Sequence, residues 1–173
     1  MARRGFAILG TTAIVAAVVA LAAWGVLTIT AGATLVVFRT GSMAPAIPQG
    51  ALAVSFPVAA EEIQVGDVVT VQRPGEDLPV SHRVIEVRAG SDATVSPPIP
   101  RNARELVMQG DANAQPDMRP AVVRDARRVV WSAPGAGTAL MMLQSPIGLG
   151  GMVVGAGALT TWAFWPRRSG AEA

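Results

Sequence analysis

Two segments of the chain, Phe6–Leu27 and Ile147–Trp165, contain no charged residue and few polar ones. Each is about 20 residues long, which is the length that a helix needs to cross the hydrocarbon core of a bilayer. The second segment contains several glycines, which lower its helix propensity. The pattern predicts an N-terminal and a C-terminal transmembrane helix, and the glycines leave open whether the second segment spans fully.

The middle of the chain consists of short β-branched runs separated by Pro and Gly, without a sustained helical period. This pattern predicts a mainly β domain with an open or barrel-like sheet. The apolar linker Thr28–Phe38 is predicted either to enter the sheet as a strand or to lie in the membrane interface, and Ala89–Asn102 to form a surface loop. The predicted strands are Leu52–Phe56, ended by Pro57, then Asp67–Gln72, Val80–Val87, Glu105–Met108 and a last strand around Val129–Trp131.

Basic residues at both ends of the chain predict its topology. Arg3 and Arg4 precede the first apolar segment, and Arg167 and Arg168 follow the second, so the positive-inside rule places both termini in the cytoplasm. We therefore expect a multi-pass protein of the plasma membrane. An alternative for the N-terminus is a cleaved signal peptide, but its apolar region is shorter, roughly 7–15 residues. The predicted parts are an anchor at residues 1–30, an extracytoplasmic β-rich domain at 31–135, and a membrane-associated segment with a C-terminal transmembrane helix and a basic tail at 136–173.

The composition limits the chemistry that the chain can perform. Between the apolar segments lie 10 arginines and 11 acidic residues, so no basic stripe remains for binding a nucleic acid. All 14 basic residues are arginines, there is no cysteine, and His82 is the one histidine. A serine–lysine mechanism is excluded by this composition. A serine–histidine mechanism needs His82 as its base.

Three local segments carry residue types that are suited to nucleophilic catalysis. Ser42 lies in a turn-prone segment soon after the first apolar segment, His82 lies in a predicted strand, and Asp111 and Asp117 lie in a polar loop after another strand. A serine needs a base to take its proton, and a third group normally orients that base. Each feature alone also has an ordinary structural explanation, such as turn chemistry for the loop. The loop lacks the later glutamate of an EF-hand, so no metal is predicted.

Taken together and in this order, these segments resemble type I signal peptidases, specifically the endoplasmic-reticulum/archaeal-type branch that also occurs in Gram-positive bacteria. The resemblance extends from about Thr40 to Leu149 and is carried by the ordered series of motifs. In the other bacterial branch the base is a lysine, which this chain lacks. The matching segments are Thr40–Pro45, Gly66–Thr70, Ser81–Val84, the loop from Gly110 to Asp117, Val130–Gly135 and Gln144–Gly148.

The resemblance implies a chemical role for four residues. Ser42 would attack the scissile carbonyl, and His82 would serve as general base and then protonate the leaving amine. Asp117 matches the position that orients the histidine, and Asp111 matches a second acidic position that supports the site.

The resemblance also implies how a substrate is held. The backbone N–H of Ser42 and the hydroxyl of Thr40 would donate to the oxyanion, and Met43 and Pro45 would shape the binding cleft near the bilayer. An extended substrate would pair as an added strand, with small residues one and three positions before the cut.

The expected function is that of a membrane-bound serine endopeptidase that removes signal peptides from exported preproteins, with neither cofactor nor metal. The expected partners are preproteins and the lipid bilayer, with contact to secretion machinery allowed and the oligomeric state left open. Two alternatives remain: a peptidase of the same fold that processes only a few surface or fibre proteins, and a catalytically silent, membrane-anchored β domain that serves as a scaffold.

Overall fold

A computed structural model describes residues 2–89, 92–95 and 99–164. Within these ranges, seven strands form one antiparallel sheet in the order β1-β2-β7-β3-β4-β5-β6. The prediction of a sheet-rich domain behind an apolar N-terminal helix is confirmed. The elements are α1 Ala2–Ala31, β1 Thr34–Val37, β2 Leu52–Ala59, a 3₁₀ turn Ala60–Glu62, β3 Val68–Val71, β4 Val80–Arg88, β5 Arg104–Gln109, β6 Ala121–Val123, β7 Asp125–Ala133, α2 Ala136–Gln144 and α3 Pro146–Phe164.

The N-terminal helix α1 is long and apolar enough to cross a membrane by length and composition. Its window Gly10–Ala31 is not buried against the rest of the described chain. A left-handed glycine, Gly32, ends the helix with φ of 63°, because glycine adopts this conformation without steric cost. Two residues later β1 begins, so the part of the linker at Thr34–Val37 forms a strand and pairs with β2.

Arg127 on β7 fastens the end of α1 to the sheet. Its guanidinium donates hydrogen bonds to the carbonyl oxygen of Gly32 and to the backbone oxygen of Ser55 on β2. Ser55 is fully buried and also bonds the hydroxyl of Thr34 at 3.0 Å. These contacts set where the chain enters the sheet, and therefore where the turn after β1 lies.

Two strand predictions need correction. Pro57 does not end its strand, because β2 continues to Ala59 and Pro57 lies opposite Arg127 on β7. Since β1 pairs only as far as Ser55, β2 has an open edge at Pro57, and a proline is tolerated at such an edge. The last predicted strand is part of the longer β7, and a separate short strand, β6, precedes it.

Apolar residues pack in two clusters on the sheet. The first lies between β3, β4 and β5 and includes Val69, Val84 and Met108, each fully buried. The second lies under the turn after β1. Its members are Phe38, Met43, Ile47, Ala51, Ala53 and Val68.

The C-terminal segment forms two helices separated at Ser145. The axes of helices α2 and α3 form an angle of 74°. Their described residues are long and apolar enough for a membrane span only when the two helices are taken together. α2 packs on the sheet through Gly137, where an added Cβ would lie 2.8 Å from the carbonyl oxygen of Ala51. Trp165, which ends the second apolar segment, and the basic pair Arg167 and Arg168 lie outside the described residues.

Candidate active site

Ser42 lies in a tight turn between β1 and β2, and the side chain of the next residue is buried. Met43 is fully buried in the second apolar cluster, and the turn is closed by hydrogen bonds from the N–H of Ala44 to the carbonyl of Gly41 at 3.0 Å and from the N–H of Ile47 to the carbonyl of Met43 at 2.8 Å. Burial of Met43 therefore holds the serine in place at the surface of the sheet.

His82 lies between Ser42 and Asp117. Its Nε2 is 3.2 Å from the Oγ of Ser42, and its Nδ1 is 2.8 Å from each carboxylate oxygen of Asp117. The side chains of His82 and Asp117 are 12% and 7% exposed, so water reaches this contact little. When Nδ1–H donates to Asp117, Nε2 is free to accept the serine proton, which is the arrangement of a serine–histidine–aspartate triad.

The polar loop after β5 joins the three side chains. The N–H of Ala112 donates to the carbonyl of Ser42 at 2.8 Å, and the N–H of Asp117 donates to the carbonyl of Met108 at 2.9 Å. At Gly110 an added Cβ would lie 2.6 Å from the carbonyl oxygen of Ser42. A residue without a side chain therefore lets the loop approach the serine this closely.

The side chain of Asp111 forms hydrogen bonds with Arg83 rather than with Ser42 or His82, and its predicted role in supporting the site stays a prediction. Its two oxygens accept hydrogen bonds from Nε and Nη2 of Arg83 at 2.8 and 2.7 Å. Arg83 and His82 are adjacent on β4, and adjacent residues of a strand point to opposite faces. The loop thus fastens one face of β4 through Asp111 and orients the histidine on the other face through Asp117.

The contact with Asp111 stabilises the charged form of Arg83. The hydrogen bonds from its guanidinium to the carboxylate of Asp111 raise the pKa of Arg83, with burial acting against them and charge attraction adding to them. Arg83 also donates to the carbonyl of Gly66 at 2.8 Å. It therefore connects the loop to the start of β3 as a permanent cation.

The other predicted site residues lie at different places. The Thr40 hydroxyl is 3.4 Å from the Oγ of Ser42, close enough to act on the same reacting centre. Met43 lies in the apolar cluster, and Pro45 is exposed. Neither lines the groove that contains Ser42, so their effect on a cleft is through the shape of the turn.

One residue of this site, Arg73, was missed by the sequence analysis. Its Nη2 donates to Oδ2 of Asp117, and its Nη1 is 3.8 Å from Glu76. In the sequence it is one arginine among 14, placed in a turn two residues after β3. No spacing or motif distinguishes it, because its partner is 44 residues away along the chain.

A groove of about 820 Å³ opens above Ser42 and His82. One wall is formed by Val36, Phe38 and Thr40 at the end of β1, and the other by the connection from β3 to β4, including Leu78 and Val80. β1 is at the edge of the described sheet, and its residues Val36 and Val37 line the groove.

Comparison with known proteins gives no family assignment. No protein-family model matches the chain, and no curated protein matches it at a significant level.

Proposed function

We propose that this chain is a membrane-bound serine endopeptidase that removes signal peptides from exported preproteins, as a type I signal peptidase of the endoplasmic-reticulum/archaeal-type branch. The observation that carries the proposal is the contact of 3.2 Å between Ser42 and the Nε2 of His82, with Asp117 on the opposite ring nitrogen. In a chain with one histidine and no lysine, this is the pair that can activate a serine near neutral pH.

The reaction follows from the positions of these atoms. Ser42 attacks the scissile carbonyl while His82 takes its proton, and Asp117 stabilises the imidazolium that forms. The backbone N–H of Ser42 and the hydroxyl of Thr40 donate to the oxyanion, and such a donor contributes about 2.7–4 kcal/mol in the transition state. His82 then gives the proton to the leaving amine, and a water repeats the sequence on the acyl-enzyme.

The groove supports an extended peptide substrate. A peptide lying along β1 pairs with the open sheet edge through its backbone, which brings one of its carbonyls to Ser42. The apolar walls at Val36 and Leu78 suit small apolar side chains. α1 ends two residues before β1, so the groove lies close to the membrane surface, where a signal peptide emerges after its apolar helix.

Cleavage of a preprotein by the purified full chain tests the proposal. The chain in detergent or lipid is expected to cut a preprotein that has Ala-x-Ala before the mature start. Ser42→Ala and His82→Ala are each expected to lower kcat at least about 1,000-fold, since the nucleophile and base act as one unit. Ser132→Ala on β7 is the matched control. Normal cleavage by either site variant would refute the dyad, and no cleavage by the wild type would favour the scaffold alternative.

A further inference from the structure

We propose that Arg73 is a positioning residue of this site: it fixes the carboxylate of Asp117 and, through its charge, opposes protonation of His82. The inference rests on the proposed function, in which His82 must be neutral to accept the proton of Ser42. Arg73 would act on the reaction only through Asp117 and would not touch the substrate.

The contacts place Arg73 and His82 on the same carboxylate. Arg73 Nη2 donates to Oδ2 of Asp117, and Nδ1 of His82 is 2.8 Å from both oxygens. The side chain of Arg73 is 15% exposed, and that of Asp117 is 7% exposed. Two donors, one on β4 and one in the connection before it, therefore hold the carboxylate in one orientation, and little water is available to replace either donor.

The charges that face His82 come from several elements. Arg73 is the cation in direct contact with Asp117 among the residues that the structure describes, and Glu76 approaches Arg73 only to 3.8 Å. Arg83, on the opposite face of β4, is paired with Asp111. Arg128 on β7 shares the face of His82, since both residues lie opposite Val69, and it is paired with Asp67 at 3.5 Å. The ionisable residues that line the groove together with His82 are Arg39, Glu76 and Asp77.

The direction of the effect follows from these signs. The negative charge of Asp117 favours a protonated imidazole, whereas the positive charge of Arg73 disfavours it. Removing the positive charge leaves Asp117 uncompensated, so His82 gains its proton at a higher pH. Asp117 is then held by His82 alone and orients the ring less firmly, which is expected to lower kcat without changing how the substrate binds.

Stability alone is a poor reason for an arginine at this position. Nε of Arg73 is buried and has no hydrogen-bond acceptor within the described part of the chain. A buried donor without an acceptor destabilises the folded state. The contact of Nη2 with Asp117 is therefore the favourable interaction that this side chain makes with the site.

A histidine titration tests the inference without relying on activity. Because the chain has one histidine, the ¹³Cε1 signal of labelled protein in detergent belongs to His82 when the purification tag contains no histidine. Arg73→Met is expected to raise the titration midpoint by about half a pH unit, because a positive charge that disfavours protonation of the imidazole is removed. Arg73→Lys keeps the charge and is expected to stay within about 0.2 pH unit of the wild type.

Cleavage kinetics supply the second readout. The acid limb of kcat/KM for Arg73→Met is expected to move to higher pH with the titration, and kcat to fall about 10-fold at nearly constant KM. Arg88→Met, which removes an arginine that lies six residues beyond His82 on β4 and is paired with Glu86, is the matched control and is expected to leave the histidine titration unchanged.

The outcomes separate this inference from the proposed function. An unchanged midpoint in Arg73→Met overturns the inference, even if that variant is less stable or less active, because a purely structural role would produce this result. A shifted midpoint in a protein whose wild type cleaves no preprotein supports the charge effect of Arg73 and refutes the proposed function.

Discussion

Asp117 and Asp111 lie in one loop, six residues apart in the sequence, yet their carboxylates have different partners. Asp117 binds His82 and Arg73, whereas Asp111 accepts hydrogen bonds from Nε and Nη2 on one edge of the Arg83 guanidinium. The contact between Asp117 and His82 acts on the group that accepts the proton. The contact between Asp111 and Arg83 holds the loop to β4. Replacing an aspartate by asparagine keeps the shape of the side chain but removes its charge. Comparing this change at Asp117 and at Asp111 therefore separates a residue that orients the base from one that supports the loop.

Asp117→Asn is expected to lower kcat at least about 100-fold with little change in KM, because an amide holds the imidazole in the wrong tautomer for accepting a proton at Nε2. Asp111→Asn is expected to lower kcat less than about 10-fold and to cost about 1 kcal/mol of stability, since its partner is partly exposed. Steady-state kinetics and thermal unfolding of both variants make the comparison. An unaffected rate in Asp117→Asn, with a large loss in Asp111→Asn, would reverse the two assignments.

Individual residues differ in how well the sequence revealed them. His82 could be selected because the composition offers one histidine and no lysine, whereas Ser42 was selected among several serines by the ordered motifs that resemble a signal peptidase. The structure brings them to 3.2 Å. Arg73 could not be selected from the sequence, and the different roles of the two aspartates could not be assigned. Both depend on which side chains of β4 and the neighbouring loops meet in the folded chain.

At the scale of elements, the loop that begins at Gly110 is the part that brings the strand-borne histidine and the turn-borne serine together. The N–H of Ala112 in this loop donates to the carbonyl of Ser42, and Gly110 approaches the same oxygen closely. Position 110 therefore has no room for a side chain. The geometry of the site therefore depends on how this loop packs against the turn after β1.

Gly110→Ala is expected to lower both stability and activity. The added Cβ would lie 2.6 Å from the carbonyl oxygen of Ser42 and 2.9 Å from Nδ2 of Asn113, and overpacking of this kind costs about 1–3 kcal/mol. The shift needed to relieve it moves Asp117 and Ser42 apart. Gly41→Ala, whose Cβ would meet nothing within 4 Å, is the control for thermal unfolding. Equal unfolding temperatures in the two variants would contradict the packing argument.

The elements themselves were predictable where a strand is bounded by clear turn residues. The predicted Asp67–Gln72 contains β3, and Val80–Val87 overlaps almost all of β4. The pattern failed at Pro57, where the open edge of β2 tolerates a proline, and near Arg124, where the chain passes from β6 into β7 without a glycine or proline. Both errors concern strand pairing, which a local pattern does not contain.

At the scale of the whole molecule, the site residues lie in the sequence between two apolar segments. α1 leads into β1 through Gly32 and is fastened there by Arg127, and β7 leads through α2 into α3. The length of α1 suits a membrane span. The bend of 74° between α2 and α3 allows α2 to lie on the sheet while α3 continues in another direction.

A pair of reporter fusions tests whether the bent helices cross the membrane. A reporter fused after Gly135, between β7 and α2, is expected to report the exterior, because it adjoins the proposed catalytic domain. A reporter fused after Glu172 is expected to report the cytoplasm, since Arg167 and Arg168 follow the apolar segment and favour that side. An exterior signal from both fusions would mean that α2 and α3 do not cross. The protein would then be anchored by α1 alone, with the Ser42–His82 chemistry unaffected, because no contact in the site comes from either C-terminal helix within the residues that the structure describes.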